Sequence, residues 1–255
     1  MPNRPSQPGI GQIAVVLAVL FTLIGGALAA SGELFAAVAD TGLVLFEPAR
    51  YAFAIWTPIY LGLLAFAVYQ AQPRLRADTR LRSLELPVVI GSAANVGWLV
   101  AWQHQRVFVS VAVMLVLLAS LAVACHRLEP ERELASLRRR WCVHYPLRVY
   151  LGWVTIAAFA NLAWAARELL ARLGRSGDAP GWVGYALALV TVLTIAGLVT
   201  RRRADVAYLV PLVWGVVALA VTHQGDPIPA ALSWLAAAAL VVMVGIAAGR
   251  RPGFG

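Results

Sequence analysis

The sequence predicts an all-α integral membrane protein of about eight transmembrane helices with no sizeable soluble domain. Apolar runs close to the roughly 20 residues needed to cross a bilayer recur along the whole chain. The composition agrees: 61% of residues are hydrophobic, 13% are charged and the mean hydropathy is +0.76. Two of the three asparagines, Asn95 and Asn161, lie inside those runs, in the matching pieces Asn95-Val96-Gly97-Trp98 and Asn161-Leu162-Ala163-Trp164. An unpartnered amide in hydrocarbon costs roughly 4–8 kcal/mol by the harshest transfer scale, so these two residues need partners or a function.

The expected spans follow in order. The first, Ile13 to Ala30, carries Gly25 with Ala29 and Gly26 with Ala30, small residues four apart that let another helix approach closely. Its end, Ala27-Leu28-Ala29 before Ala30-Ser31, also resembles a signal-peptidase site. Its long apolar run and single preceding charge favour a retained span. The second runs from Tyr51 to Gln70 and holds Trp56, Pro58 and Tyr60; the proline frees a backbone carbonyl and is expected to kink the helix beside the rings. Leu86 to Trp102 and Val107 to Cys125 form the third and fourth, and Pro146 to Ala166, with the second asparagine, forms the fifth. Three Ala-, Val- and Leu-rich runs complete the set: Trp182 to Thr200, Val206 to Thr222 and Ala230 to Ala248. Short linkers make neighbouring spans antiparallel and adjacent.

Every one of the 21 basic residues is arginine. With the N-terminus inside, sixteen of them fall on the cytoplasmic side, and only Arg50, Arg106, Arg167, Arg172 and Arg175 fall outside. That asymmetry satisfies the positive-inside rule with both termini cytoplasmic. The basic charge lies in short juxtamembrane loops, so it reports topology and contact with membrane lipids, and no nucleic acid partner is expected.

What the spans lack also limits the chemistry. No lysine occurs, so a retinal Schiff base is excluded, and no carboxylate, histidine or arginine lies near the centre of a span to serve a proton relay. The Ser31–Arg50 loop carries Glu33, Asp40 and Glu47, which read as a solvated face. Cys125-His126 and Cys142-Val143-His144 flank one loop, yet their spacing matches no zinc pattern and no metal site is expected. No catalytic residue is identified, because no serine or cysteine stands beside a histidine within a span.

Nine tryptophans are many for 255 residues. Trp102, Trp141 and Trp182 lie near span ends, as an interfacial belt requires. Others share helix faces with polar groups: Trp56 with Tyr60, Trp98 with Asn95, Trp164 with Asn161, and Trp153 with Trp164 about three turns on. Aromatic walls with a few polar groups suit a pocket for a flat, mostly apolar ligand. Asparagines bonded only to backbone or to each other across helices, for about 0.6 kcal/mol each, would explain the same residues, and physics alone leaves these alternatives even.

The motifs point further. Phe53-Ala54-Ile55-Trp56-Thr57-Pro58-Ile59-Tyr60 resembles the second-span signature of the TspO/MBR family, the tryptophan-rich sensory and translocator proteins. Asn95-Val96-Gly97-Trp98 is similar to that family's third-span Asn and Trp, and the stretch from Tyr145 to Trp164 resembles its fifth-span pattern of Pro, Trp, an Ala-containing turn, Asn and a further Trp. The resemblance covers about residues 10–170, with three spans beyond it as in longer bacterial members. It departs from the short members in a reduced proline segment, Glu47-Pro48, and in a displaced Tyr150.

The resemblance implies a five-helix ligand-binding core at 1–170 with a three-helix membrane extension at 171–255. It further implies a ligand pocket for porphyrins, haem-type tetrapyrroles or sterol-like hydrophobic molecules, no covalently bound cofactor, and a homodimer. Its ligand-binding residues would be Trp56 and Tyr60, Asn95 and Trp98, and Trp153, Ala157, Asn161 and Trp164. The protein would then be a sensor, receptor or carrier rather than an enzyme. The rival readings are a secondary transporter of a small neutral or lipid-like solute and a membrane enzyme acting on a tetrapyrrole or prenyl substrate.

Overall fold

The structure, a computed structural model, describes residues 9–31, 45–131, 135–174 and 181–250. Glu33 and Asp40, from the loop before the second span, lie outside the described residues. Eight long helices are present among those described, and no strand. They are α1 (Ile10–Ser31), α2 (Trp56–Gln70), α3 (Thr79–Gln103), α4 (Val107–Leu128), α5 (Tyr145–Arg172), α6 (Gly181–Arg203), α7 (Val206–Thr222) and α8 (Pro227–Gly249). Each expected span has its helix. Seven are long and apolar enough to cross a membrane, while α7, of 17 residues, reaches only about 25 Å at 1.5 Å per residue.

Local chemistry sets the helix ends. Asp78 caps α3 by accepting from the backbone N–H groups of Arg80 and Leu81, each at 3.0 Å, and Asp205 caps α7 through the Tyr208 N–H. Pro87, buried within α3, has no N–H to give the Ser83 carbonyl one turn back. Arg127 of α4 donates to that carbonyl instead, so a side chain repairs the gap in the helix ladder.

One expectation about the elements is corrected, and one local feature is new. The α part of the second span starts at Trp56, because Arg50–Ile55 is a 3-10 helix. Pro58 therefore occupies the first turn of α2, where a missing N–H leaves no interior hydrogen bond broken, and it does not act as a mid-helix kink. The fifth span is entered through a π-helical turn, Arg140–His144, in which the Tyr145 N–H reaches the Arg140 carbonyl. A single turn of this kind adds a residue to the helix and rotates the side chains that follow.

The described residues pack as two compact units, one made of those within 9–31 and 56–151 and the other of those within 45–55 and 152–250. In the first unit α1 lies on α3, where Thr22 Oγ1 donates to the Ser92 carbonyl at 3.3 Å and Gly25 faces Val96. Gly91 of α3 meets Ser120 of α4 closely, and Gly62 of α2 meets Pro146 at the head of α5. Buried Gln12 and Gln70 bind each other's backbone: Gln12 Nε2 donates to the Gln70 carbonyl, and Gln70 Nε2 donates to the Gln12 carbonyl at 3.0 Å.

In the second unit Gly152 and Gly215 bring α5 and α7 together. A Cβ on Gly152 would lie 2.3 Å from the Tyr208 carbonyl oxygen, and one on Gly215 would lie 2.9 Å from Ile156. Small residues at a helix crossing allow that approach. The segment before α2 is fixed to this unit. Phe46, 2% exposed, lies between Phe159 and Tyr185 at 5.9 and 5.7 Å, and Trp214 Nε1 donates to the Ala52 carbonyl at 2.9 Å.

Candidate functional site

In the first unit, four of the expected ligand residues come together. Trp56 and Tyr60 stand one turn apart on α2 with ring centroids 5.4 Å apart. Trp56 stacks on Trp98 of α3 at 6.0 Å and 28°, and Trp98 continues to Trp102 at 5.7 Å. Offset aromatic pairs of this kind contribute about 0.5–1.5 kcal/mol each beyond their buried area. Gly26 of α1 makes room for the half-buried Tyr60, since a Cβ there would lie 2.5 Å from its ring.

Asn95, one turn before Trp98, is fully buried at 0% exposure. Neither its amide nitrogen nor its amide oxygen has a hydrogen bond among the described residues, and the buried Tyr150 hydroxyl has none either. The Tyr150 hydroxyl and the Asn95 amide face each other as hydrogen-bond partners whose contact falls outside full hydrogen-bond geometry, and the Tyr60 hydroxyl lies within electrostatic reach of Tyr150. Tyr150 also stands edge-on to Trp56 at 5.9 Å and 72°. Three polar groups are thus held inside a ring of indoles and phenols. The cluster contains no carboxylate, imidazole or thiol, so it offers hydrogen bonding and flat contact area and no group that titrates near neutral pH.

The other four expected residues lie in the second unit. Trp153, 2% exposed, meets Phe53 edge-on at 6.2 Å and 82°. Asn161 is buried, and its Nδ2 donates to the carbonyl of Ala157, one turn back, at 2.9 Å. That bond satisfies one of the amide's donors within its own helix, as the bland reading of a buried asparagine requires. Ala157 and Trp164 are half-buried.

Three features were not singled out from the sequence. Tyr150 was noted only as displaced, although it lies three and seven residues before Trp153 and Ala157 and therefore on their helix face. Trp102 had been assigned to the interfacial belt, yet its ring rests on Trp98. Arg148, counted among the loop arginines, is 2% exposed: it donates to Glu129 Oε1 at 2.9 Å and lies 2.9 Å from Nδ1 of buried His144. The π turn is what turns His144 inward. A buried guanidinium with these partners is a structural ion pair at the head of α5.

A second ion pair closes the same unit, with Arg139 Nη1 2.5 Å from Asp78 Oδ2. Partial burial pulls the Asp78 carboxyl up, but hydrogen bonds from Arg139 and the N–H groups of Leu81 and Arg80, with the Arg139 charge, outweigh it and hold the group below the ordinary carboxylate range. Cys125 is buried and Cys142 half-buried, and among the described residues no three His, Cys, Asp or Glu side chains are grouped to hold a metal ion.

No curated protein and no solved structure matches the chain. A family does: the one described as TSPO-like protein matches residues 10–248, so the likeness runs through the last three helices as well as the five whose motifs carry the resemblance. The chain, an all-helical membrane protein, belongs to the TSPO-like family.

Proposed function

We propose that the protein is a membrane receptor or carrier that binds a flat hydrophobic ligand of the porphyrin class at the aromatic cluster of α2 and α3. The observation that carries this reading is Asn95: a completely buried amide with no hydrogen bond among the described residues, enclosed by Trp56, Trp98, Tyr60 and Tyr150. Such a group costs stability unless it has a use, and buried unsatisfied polar groups are concentrated where a ligand supplies the partner. A planar guest sliding between the indoles would gain stacking area, and its polar edge would meet the amide and the two phenols.

Tyr60 is the residue that would move. It is half-buried, and it rests on Gly26, where no side chain blocks it. Trp153, Ala157, Asn161 and Trp164 of the second unit are proposed as ligand residues on the family resemblance alone, and the Asn161 amide is bonded to its own helix. We place both termini in the cytoplasm, on the arginine asymmetry, and the protein in a bacterial inner membrane as a homodimer, on the resemblance to longer bacterial members.

Titration of protoporphyrin IX with the purified protein tests the reading through the shift of its main absorption band. Saturable binding is expected, weakened at least several-fold by Trp98→Leu and by Trp56→Leu. An identical titration for all three proteins would remove the pocket. Steady spectral loss with turnover, in place of saturation, would favour an enzyme, and ligand flux into sealed vesicles would favour a transporter.

A further inference from the structure

A second feature of the first unit lies away from the aromatic cluster. Between α1 and α2 runs a cleft of about 410 Å³, within the roughly 300–1,000 Å³ of small-molecule sites. Its floor includes Val19 and Ala67, 0% and 3% exposed, and its rim includes Leu20, Leu64 and Val68, exposed by 43%, 40% and 63%. Leu64, Ala67 and Val68 share one face of α2, and the small side chain at 67 is what leaves the hollow. Along α2 the cleft runs from Leu64 to the helix end at Gln70, about 9 Å at 1.5 Å per residue, and continues past it to Gln72 and Pro73, comparable with the ~15 Å hydrocarbon depth of one leaflet.

The Gln72 end is cationic. Gln72 Oε1 accepts a hydrogen bond from Arg74 Nε at 2.9 Å, which fixes an exposed guanidinium beside the mouth of the cleft. Exposed Arg76 follows, with its side chain against Gly9 at the start of α1. Arg76 also takes part in a further polar or electrostatic contact, so Arg74 is the cation fixed at the mouth and Arg76 adds its charge nearby. Glu85, further along α3, lies against Gly11 of α1.

We propose that this cleft binds an anionic glycerophospholipid, with one acyl chain lying over Val19 and Ala67 and the phosphate against Arg74 and Arg76. The apolar floor, comparable in length with one leaflet, selects a chain, and the Arg74 guanidinium with the charge of Arg76 nearby selects a negative headgroup. None of these residues belongs to the aromatic cluster, so the lipid site stands or falls separately from porphyrin binding.

Native mass spectrometry of the full-length protein in detergent, titrated with phosphatidylglycerol or phosphatidylcholine of matched chains, tests this directly. One phosphatidylglycerol should be retained about tenfold more tightly than phosphatidylcholine, and Arg74→Gln with Arg76→Gln should abolish that preference. Ala67→Phe should lower retention of both lipids; should it fail to fold, Val68→Trp on the exposed rim serves the same purpose. Equal retention of the two lipids by the unaltered protein would overturn the proposal. So would displacement by an equal concentration of glycerol phosphate, which would mark a soluble-phosphate site. Loss of the preference on Arg201→Gln with Arg202→Gln, in the other unit, would mark a diffuse basic surface and overturn it as well.

Discussion

Replacing Asn95 by leucine should raise the stability of the protein and lower its affinity for ligand together. The side chain is 0% exposed, and neither amide atom has a hydrogen bond among the described residues. An unsatisfied buried amide costs about 1–3 kcal/mol in mutational data, and leucine keeps the branching and the number of side-chain heavy atoms without it. The ligand-free variant is therefore expected to gain about 1–3 kcal/mol, or about 2–10 °C in unfolding temperature for a chain of this size. The same change removes a hydrogen bond to a bound tetrapyrrole, worth about 0.5–1.5 kcal/mol, and should weaken protoporphyrin IX binding roughly two- to tenfold. Thermal unfolding in mild detergent gives the first quantity and tryptophan quenching by protoporphyrin IX gives the second. Tyr150→Phe, which deletes the neighbouring hydroxyl that also lacks a hydrogen bond, should likewise raise ligand-free stability, by up to about 1–3 kcal/mol. A variant Asn95→Leu that unfolds at a lower temperature than the unaltered protein would show that the amide is held within the protein, and the reasoning would be refuted.

Other parts of the fold give sharper tests of stability. Arg148→Met should destabilise by about 1–3 kcal/mol in equilibrium unfolding, below the usual range for a fully buried pair because Glu129 keeps 24% of its side chain exposed, and Glu129→Gln should cost less. Asp78 has a folded-state pKa below its unfolded value, so its contribution is present in full above the unfolded carboxylate range and is lost as the pH falls through the folded value; Asp78→Asn should flatten the acid limb of a stability–pH curve. Gly152→Ala would set a methyl 2.3 Å from a backbone oxygen that cannot swing aside, for a loss of about 1–3 kcal/mol, whereas Gly245→Ala meets nothing within 4 Å and should gain about 0.5–1 kcal/mol.

The eight helices were legible because hydrophobic length is a strong signal and lipid leaves the backbone few alternatives. The pairing of Trp56 with Tyr60, and the burial of Asn95 and Trp98, were legible because three- and four-residue spacings on a helix fix a shared face. What failed was local. Pro58 reads as an interior proline only if the helix begins at Tyr51, and no composition signal marks where the 3-10 turn gives way at Trp56. Arg148 reads as a loop charge because its partners are Glu129, nineteen residues earlier with no periodic signal, and buried His144 at the end of the π turn. The clasp of Gln12 and Gln70 is a long-range pairing of neutral residues, which leaves no periodic trace in the sequence.

The most direct test of the central claim is a structure of the protein with protoporphyrin IX bound. Planar density should lie in contact with the indoles of Trp56 and Trp98, with a polar edge at Asn95 and Tyr150 and with Tyr60 displaced from Gly26. Density confined to the cleft between α1 and α2, with those indoles still stacked on each other, would contradict it.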